Sequence, residues 1–189
     1  LQGGNIAKFD CVIANPPFSL ENWGATEWSS DKYKRNIYGT PSDSCGDYAW
    51  IQHMICSMSS GKGRMAVVMP QGILFRGNQE AEIRKQLVES NLIEAVVTLG
   101  DKLFYGTGLS PCFLIIRRMK QAHHSGRILM IDGSQILTQK RAQNILEEND
   151  IDRLYSLYQN YSDEEDYSRI VTLQEIRDKE YNLSPNRYV

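Results

Sequence analysis

Positions 15–18 of this 189-residue sequence combine a polar amide, two prolines and an aromatic ring. The side chain of Asn15 and the backbone carbonyl of Pro16, whose direction the proline ring restricts, accept hydrogen bonds without any ionisation. Two such acceptors on the two N–H bonds of an exocyclic aromatic amine would draw its lone pair out of the ring and make the nitrogen nucleophilic. Phe18 offers a flat face on which a planar base can stack. The stretch therefore predicts a site that holds and activates an aromatic amine.

A continuous apolar run at residues 11–14 leads into this site and predicts a strand that is buried on both faces. Pro16 and Pro17 end that strand, because neither ring nitrogen can donate to a sheet ladder. Asn15 and Phe18 are therefore expected at the carboxyl end of a central strand, where open α/β sheets bind their ligands.

Further apolar runs predict the rest of the sheet. Residues 65–69 and 93–99 are continuous apolar strands with a helical pattern between them, so they are expected to run parallel. Residues 112–118 and 127–131 have no helix between them, which predicts an antiparallel hairpin. The fold class is thus α/β, with a mixed sheet.

Capping residues and charge order predict where the helices begin. Ser44 or Asp47 can cap the helix that follows the first strand, and Asn78 can cap the next one. Within that second helix, Glu80 and Arg84 are expected to pair at i,i+4.

Two loops have unusual composition. Residues 19–43 form a long polar stretch that contains Trp23, Trp28 and Arg35. Such a loop suits closure over a base and a phosphate backbone, but it equally suits a solvated insertion anchored by its tryptophans. Residues 100–110 contain glycines, including Gly106, but no Gly-Lys-Ser/Thr follows them, so a P-loop is not indicated.

The composition becomes more polar after residue 134. This change predicts two parts: part of a catalytic domain over residues 1–134 and a mostly helical C-terminal extension over residues 135–189. In the extension, Thr172 and Glu175 have the spacing of a capping box.

Charge and cysteine usage exclude several classes of protein. With 23 acidic and 21 basic residues, the net charge of −2 is atypical of a stand-alone nucleic-acid binder, so another segment or subunit would have to supply most phosphate contacts. The four cysteines have neither CxxC spacing nor nearby histidines, which favours reduced thiols in the cytoplasm and no metal site. No apolar run approaches the roughly 18 residues of a membrane span.

The pattern Phe9-Asp10-x-x-x-x-Asn15-Pro16-Pro17-Phe18 resembles the catalytic motif of the adenine-N6 DNA methyltransferases. An ordered series of further motifs resembles the methylation (M) subunit of type I restriction-modification systems along nearly the whole chain. These motifs are Asp47-Tyr48-Ala49-Trp50-Ile51-Gln52-His53, Gly63-Arg64-Met65-Ala66-Val67-Val68-Met69-Pro70, Ile83-Arg84-Lys85-x-Leu87, Ile93-Glu94-Ala95-Val96-Val97-x-Leu99 and Tyr181-Asn182-Leu183-x-x-x-Arg187-Tyr188.

The resemblance implies a Rossmann-like fold and transfer of a methyl group from S-adenosylmethionine to adenine in a DNA recognition sequence. It implies that Asn15, Pro16, Pro17 and Phe18 are catalytic, with Asn15 and Pro17 also beside the cofactor. It further implies a specificity subunit that reads the DNA and a restriction subunit that cleaves it. The family's sheet is seven-stranded with an antiparallel hairpin strand near one edge.

The sequence departs from the family at its start. Family members carry a glycine-rich cofactor loop on strands before the catalytic one, and nothing before Phe9 matches it. We therefore expect a C-terminal part of the subunit that is inactive when isolated, with its catalytic strand at an apolar edge that self-associates or pairs with a partner. Two alternatives are a glutamine-amide methyltransferase of the Asn-Pro-Pro-Tyr type and a non-catalytic assembly module.

Overall fold

The computed structural model describes residues 1, 3–104, 108–141 and 143–189, so Gly106 of the predicted loop lies outside the described residues. Within these ranges, no helix combines the length and the hydropathy needed to cross a membrane. The strands are β1 (Cys11–Ala14), β2 (Arg64–Pro70), β3 (Ile93–Leu99), β4 (Pro111–Arg117), β5 (Arg127–Gly133) and β6 (Ser168–Thr172). The α-helices are α1 (Ala25–Ser29), α2 (Asp47–Ser57), α3 (Asn78–Glu89), α4 (Glu148–Asn160) and α5 (Leu173–Asp178), with 3-10 turns at Gln71–Leu74, Ala122–His124 and Pro185–Arg187.

The strands form one mixed sheet in the order β1-β2-β4-β3-β5-β6. β1, β2, β3 and β5 share one direction, while β4 and β6 run against them. The predicted parallel relation of β2 and β3 is confirmed, although β4 lies between them. The carboxyl ends of four strands therefore meet at one edge of the sheet, the edge at which β4 begins.

The two strands that the sequence paired as a hairpin are not neighbours. β4 is paired with both β2 and β3, whereas β5 pairs with β3 on that strand's other side. The hairpin prediction is therefore wrong, although the mixed sheet is confirmed. Its central position gives β4 hydrogen bonds to a strand on each side. The prediction failed because a continuous apolar run does not indicate which strands will lie beside it.

Alternating side chains place a hydrophobic cluster on each face of the sheet. On one face, α2, α3 and α5 cover the strands, with Ile51, Leu87 and Ile176 fully buried. On the other face, α4 packs on β3 and β5 through Leu154 and Leu157. Residues 135–189 contribute helices but also β6, which pairs with β5, so this region extends the sheet as well as covering it.

β1 forms one edge of the sheet in the described part of the chain. It pairs with β2 alone, and its side chains alternate between the two faces. Val12 and Ala14 pack against the α2 side, while Ile13 is 77% exposed on the opposite face, which α4 does not reach. The predicted burial on both faces and the predicted central position are both wrong for this strand in the described part of the chain, whereas the expected exposed edge is confirmed.

Three predicted local contacts do not form. Gly46 and Gly77 occupy the N-cap positions of α2 and α3, and neither helix has a side-chain cap, so the predicted caps at Ser44 or Asp47 and at Asn78 are wrong. Glu80 pairs with Arg76 instead of Arg84. By contrast, the capping box of Thr172 and Glu175 is confirmed at the start of α5.

Candidate active site

The stretch Asn15-Pro16-Pro17-Phe18 lies directly after β1, at the edge where the parallel strands end. Pro16 is buried, Asn15 and Pro17 are exposed, and Phe18 is half-buried. The prolines stop the ladder with β2 at Ala14, as predicted, because they have no N–H to donate. The amide of Asn15 is thus placed at the sheet edge and accessible to a ligand.

An open hollow of about 420 Å³ lies over this stretch. Phe18 and Phe104 meet edge to face in it, with ring centroids 5.9 Å apart and an interplanar angle of 76°. Its lining consists of Asn15, Pro16, Pro17, Phe18, Phe104 and Leu109. The hollow therefore combines flat apolar surfaces with one primary amide, which suits a planar heterocycle that carries an amino group.

Two acceptors in this hollow are available for a ligand. Among the hydrogen bonds of the described residues, none involves the Asn15 side chain or the Pro16 carbonyl. A polar group without a protein partner at a concave site has its hydrogen-bonding capacity free for a substrate. The structure thus brings together the four residues that the sequence proposed as catalytic, at one edge and around one hollow.

Gln71, which sequence reasoning did not identify, ties the neighbouring strands together at this edge. Its Nε2 donates to the Leu99 carbonyl at 2.9 Å and to the Pro111 carbonyl at 3.2 Å. Its backbone N–H donates to the Ser110 carbonyl at 3.0 Å. These bonds fix the ends of the loop that carries Phe104 to the segment after β2. Gln71 follows Pro70 at the end of an apolar strand, which is the same signal that marked Asn15.

Asp47 and Arg76 join the catalytic stretch to the segment after β2. Asp47 is fully buried, and its Oδ1 accepts from the backbone N–H of Ser19 at 2.7 Å. Its Oδ2 accepts from Arg76 Nη1 at 2.9 Å, and Arg76 Nη2 also donates to Ser19 Oγ at 3.2 Å. The sequence predicted a capping role for Asp47 and no role for Arg76. The one sequence feature that could have pointed to Arg76 is its position directly after the apolar residues Ile73-Leu74-Phe75.

Cys45, Asp47 and Glu80 form a buried group of potential metal ligands, with ligand atoms within 4.8 Å of one another. Arg76 Nη1 lies 3.0 Å from Cys45 Sγ, 2.9 Å from Asp47 Oδ2 and 3.4 Å from Glu80 Oε1. Burial raises the pKa of the Cys45 thiol to about 12 and raises the pKa of the Glu80 carboxyl. A protonated thiol is a poor metal ligand, and the guanidinium already supplies a positive charge at the centre of the group.

The aromatic residues of loop 19–43 pack largely within the loop. Trp28 is buried and meets Trp23 edge to face, and Trp23 Nε1 donates to the Ser42 carbonyl at 2.8 Å. The Arg35 guanidinium lies 4.7 Å from the centre of the Trp28 ring and is paired with Asp31 at 2.7 Å. These contacts favour the interpretation of an anchored insertion. Closure of the loop over a base stays a prediction.

Comparison with known proteins agrees with this geometry. The family model described as N-6 DNA Methylase matches residues 2–189. The type I restriction enzyme MjaVII methylase subunit of Methanocaldococcus jannaschii is 35% identical over 96% of this chain and 33% of its own length. The HindI methylase subunit of Haemophilus influenzae is 32% identical over 96% of this chain and 42% of its own length. The resemblance to type I methylation subunits is thereby confirmed.

Solved structures give the same result. The type I restriction-modification system methyltransferase subunit from Streptococcus thermophilus superposes on all of this chain and 39% of its own, with a TM-score of 0.88 at 29% identity. The EcoKI M protein shares the fold, with a TM-score of 0.68 at 19% identity over 95% of this chain. The chain spans roughly a third of the length of the curated relatives that it matches, 33% of the MjaVII subunit for example. With nearly its whole length matched by the family model, the chain belongs to the N-6 DNA methylase family.

Proposed function

We propose that this chain forms the methyl-transfer edge of an adenine-specific DNA methyltransferase, the methylation subunit of a type I restriction-modification system. The observation that carries the proposal is a pair of acceptors beside the ring of Phe18, Asn15 Oδ1 and the Pro16 carbonyl, that have no partner among the described residues. The relatives' names, methylase subunits of type I restriction enzymes, support the same activity.

The chain's own residues would perform two tasks. Asn15 and Pro16 accept one hydrogen bond each from the adenine amino group, which moves the nitrogen toward a tetrahedral shape and frees its lone pair. Phe18 stacks on the extruded base, with Phe104 edge-on behind it. Neither acceptor takes up a proton, so the proton displaced from nitrogen passes to solvent after the new N–C bond has formed. S-adenosylmethionine supplies the electrophilic methyl group when it is bound.

The residues of the hollow fit one end of that cofactor. An amide, two prolines and two rings suit a methyl group and a target base, and we assign Asn15 and Pro17 to the border of the methyl-donating end. Among the described residues, those that line the hollow include no carboxylate for ribose hydroxyls and no glycine-rich turn. We therefore propose that the rest of the cofactor site lies outside this chain, which spans 33% of the MjaVII relative.

The proposed partners are DNA, a specificity subunit and a restriction subunit, in the cytoplasm. The net charge of −2 supports this division, because a chain with more acidic than basic residues would leave most phosphate contacts to other segments or subunits. The edge of β1, with Ile13 77% exposed, is proposed to pair with another segment or chain. Glutamine-amide methylation uses a similar motif, but no relative named above is described in those terms, and a pure assembly role would leave the free acceptors unused.

The test is methyl transfer from labelled cofactor to DNA by the complete subunit together with its specificity partner. We expect Asn15→Ala to lower kcat on the order of 10²-fold, the cost of removing one preorganised hydrogen-bonding group from a reacting centre. Asn186→Ala is the matched control, because Asn186 is an exposed asparagine in the C-terminal segment, outside the hollow. Equal rates for Asn15→Ala and the control would contradict the mechanism.

A further inference from the structure

The catalytic stretch is anchored differently at its two ends. Before Asn15, the ladder of β1 with β2 holds the chain. After Phe18, the backbone turns through Ser19, which has a left-handed φ of 49°. Such a conformation costs energy in a residue other than glycine, so surrounding contacts have to maintain it. The Asp47 carboxylate, 2.7 Å from the Ser19 nitrogen, is in a position to do so.

Asp47 can hold this turn only if its second oxygen is also fixed. A fully buried carboxylate is costly without a partner, and Arg76 Nη1 supplies one at 2.9 Å. The guanidinium reaches Ser19 Oγ at 3.2 Å as well, so the same serine is held through its backbone and its side chain. Asp47, Arg76 and Ser19 therefore form a closed set of three contacts, which we call the Ser19 clamp.

The Arg76 side chain is confined by the backbone of Gly72. A Cβ atom at Gly72 would lie 2.4 Å from Arg76 Nε and 2.6 Å from Arg76 Cζ, so the guanidinium packs directly against the glycine. The backbone of Arg76 is fixed too, because its carbonyl accepts from Arg84 Nη1 at 2.8 Å. The clamp is therefore built on a rigid support, and its geometry depends on the absence of a side chain at residue 72.

We propose, on the basis of the function proposed above, that Asp47 and Arg76 are positioning residues for methyl transfer. They do not line the hollow. They act by fixing Ser19, which sets the direction of the adjoining Phe18 ring and of the acceptors before it. Misplacement of a reacting group by about 1 Å can cost about 10²-fold in rate. Gly72 supports the Ser19 clamp, because the absence of a side chain at residue 72 leaves the space that the Arg76 guanidinium occupies.

The experiment uses the complete subunit with its specificity partner and measures single-turnover methyl transfer with the enzyme in excess over DNA. When that excess is also saturating, the rate constant does not depend on the fraction of enzyme that is misfolded. We expect Arg76→Ala and Gly72→Ala each to lower this rate constant about tenfold to 10²-fold, with the cofactor concentration at half-maximal rate changed less than about twofold. Arg76→Lys should recover part of the rate, because an ammonium can pair with Asp47 but cannot also span Ser19.

Two comparisons separate the clamp from general stability. If Gly72 acts only through Arg76, the double variant Gly72→Ala with Arg76→Ala should be no slower than Arg76→Ala alone. The matched control is Arg177→Ala. Arg177 forms an ion pair with Glu89, and both side chains are surface-exposed. This variant should leave the rate constant unchanged. Additive losses in the double variant, or equal rates for Arg76→Ala and Arg177→Ala, would overturn the proposal.

Hydrogen exchange gives a readout that does not depend on the reaction. In Arg76→Ala we expect the Ser19 amide, which donates to Asp47, to exchange at least about tenfold faster, while the buried β3 amide of Val96 keeps its protection. If the unaltered enzyme transferred no methyl group, the proposed function would fail although the clamp could still be seen by exchange. Unchanged protection of Ser19 in Arg76→Ala would refute the clamp even in an active enzyme.

Discussion

Arg84 is a buried cation that holds the support of the candidate site, and its replacement by methionine tests that support. The side chain is 3% exposed on α3. Its Nε donates to the Tyr181 carbonyl at 2.9 Å, and its Nη1 donates to the carbonyls of Arg76 at 2.8 Å and Ile73 at 3.3 Å. Methionine fills a similar length without any donor. Arg84→Met therefore removes three hydrogen bonds while largely preserving the packing of α3.

The expected loss in the free energy of unfolding depends on which of the three carbonyls keep another hydrogen-bond donor. Ile73 keeps a second donor, because the Tyr48 hydroxyl binds its carbonyl at 2.7 Å. The carbonyls of Tyr181 and Arg76 lose the only donor that the described residues give them. An orphaned buried acceptor costs about 1–3 kcal/mol. Because both residues are only partly buried, we take the lower part of that range, so the free energy of unfolding should fall by about 2–3 kcal/mol in total.

The assay is urea unfolding followed by tryptophan fluorescence, with Lys85→Met as the matched control. Lys85 is the next residue on α3, but it is exposed and its side chain only approaches the Tyr181 ring, at 5.7 Å. The control should change the free energy of unfolding by less than about 0.5 kcal/mol, and Arg84→Lys should fall between the two variants. If Arg84→Met were as stable as Lys85→Met, these carbonyl contacts would contribute nothing and the argument for a rigid support would be refuted.

Three further outcomes are expected. Phe18→Trp should retain more DNA affinity than Phe18→Ala, whose KM for DNA should rise about tenfold, since base stacking contributes about 1–3 kcal/mol; equal values would argue against stacking. Hydrogen bonds from Arg35 lower the pKa of Asp31 from 3.8 to about 2. The ionised Asp31 carboxylate should therefore contribute fully to the free energy of unfolding above pH 3.8, and this contribution should be lost as the pH falls toward 2. A stability difference between wild type and Asp31→Asn that stayed constant over this interval would contradict the expected pH dependence. Ile13→Lys should lower the average molecular mass measured by light scattering, because the 77% exposed Ile13 side chain lies on the open edge strand. An unchanged molecular mass would show that this edge does not pair with another chain.

The sequence predicted five of the six strands because each of those five is an apolar run ended by a polar residue, a proline, a glycine or a charge. It did not predict β6, because the segment Ser168–Thr172 contains only two apolar residues, Ile170 and Val171. The site stretch was identified for the same reason, since Asn15 follows such a run directly. What the pattern could not supply was the neighbour of each strand. The run at β4 is equally apolar whether it pairs with β5 or lies between β2 and β3, and only tertiary packing decides.

The residues missed at the site were missed for a related physical reason. Asp47 at the start of α2 has the local signature of a cap, but a cap would have satisfied N–H groups of its own helix. Instead, its carboxylate binds Ser19, 28 residues away, and Arg76, 29 residues away. Local propensity predicts contacts within a turn, whereas a buried carboxylate is satisfied by whichever donors the fold brings to it.

The mistaken hairpin bears directly on how the site is built. In a hairpin with β5, the amino end of β4 would be placed on the far side of β3 from the catalytic stretch. Because β4 instead runs antiparallel beside β2, its first residue, Pro111, pairs with Pro70 at the edge where β2 ends. That register brings Leu109 into the hollow with Phe18. One reversed strand thus returns the loop after β3 to the end of β1. The segments that follow β1 and β3 line the hollow around one acceptor pair, and Gln71, which follows β2, binds the ends of that loop.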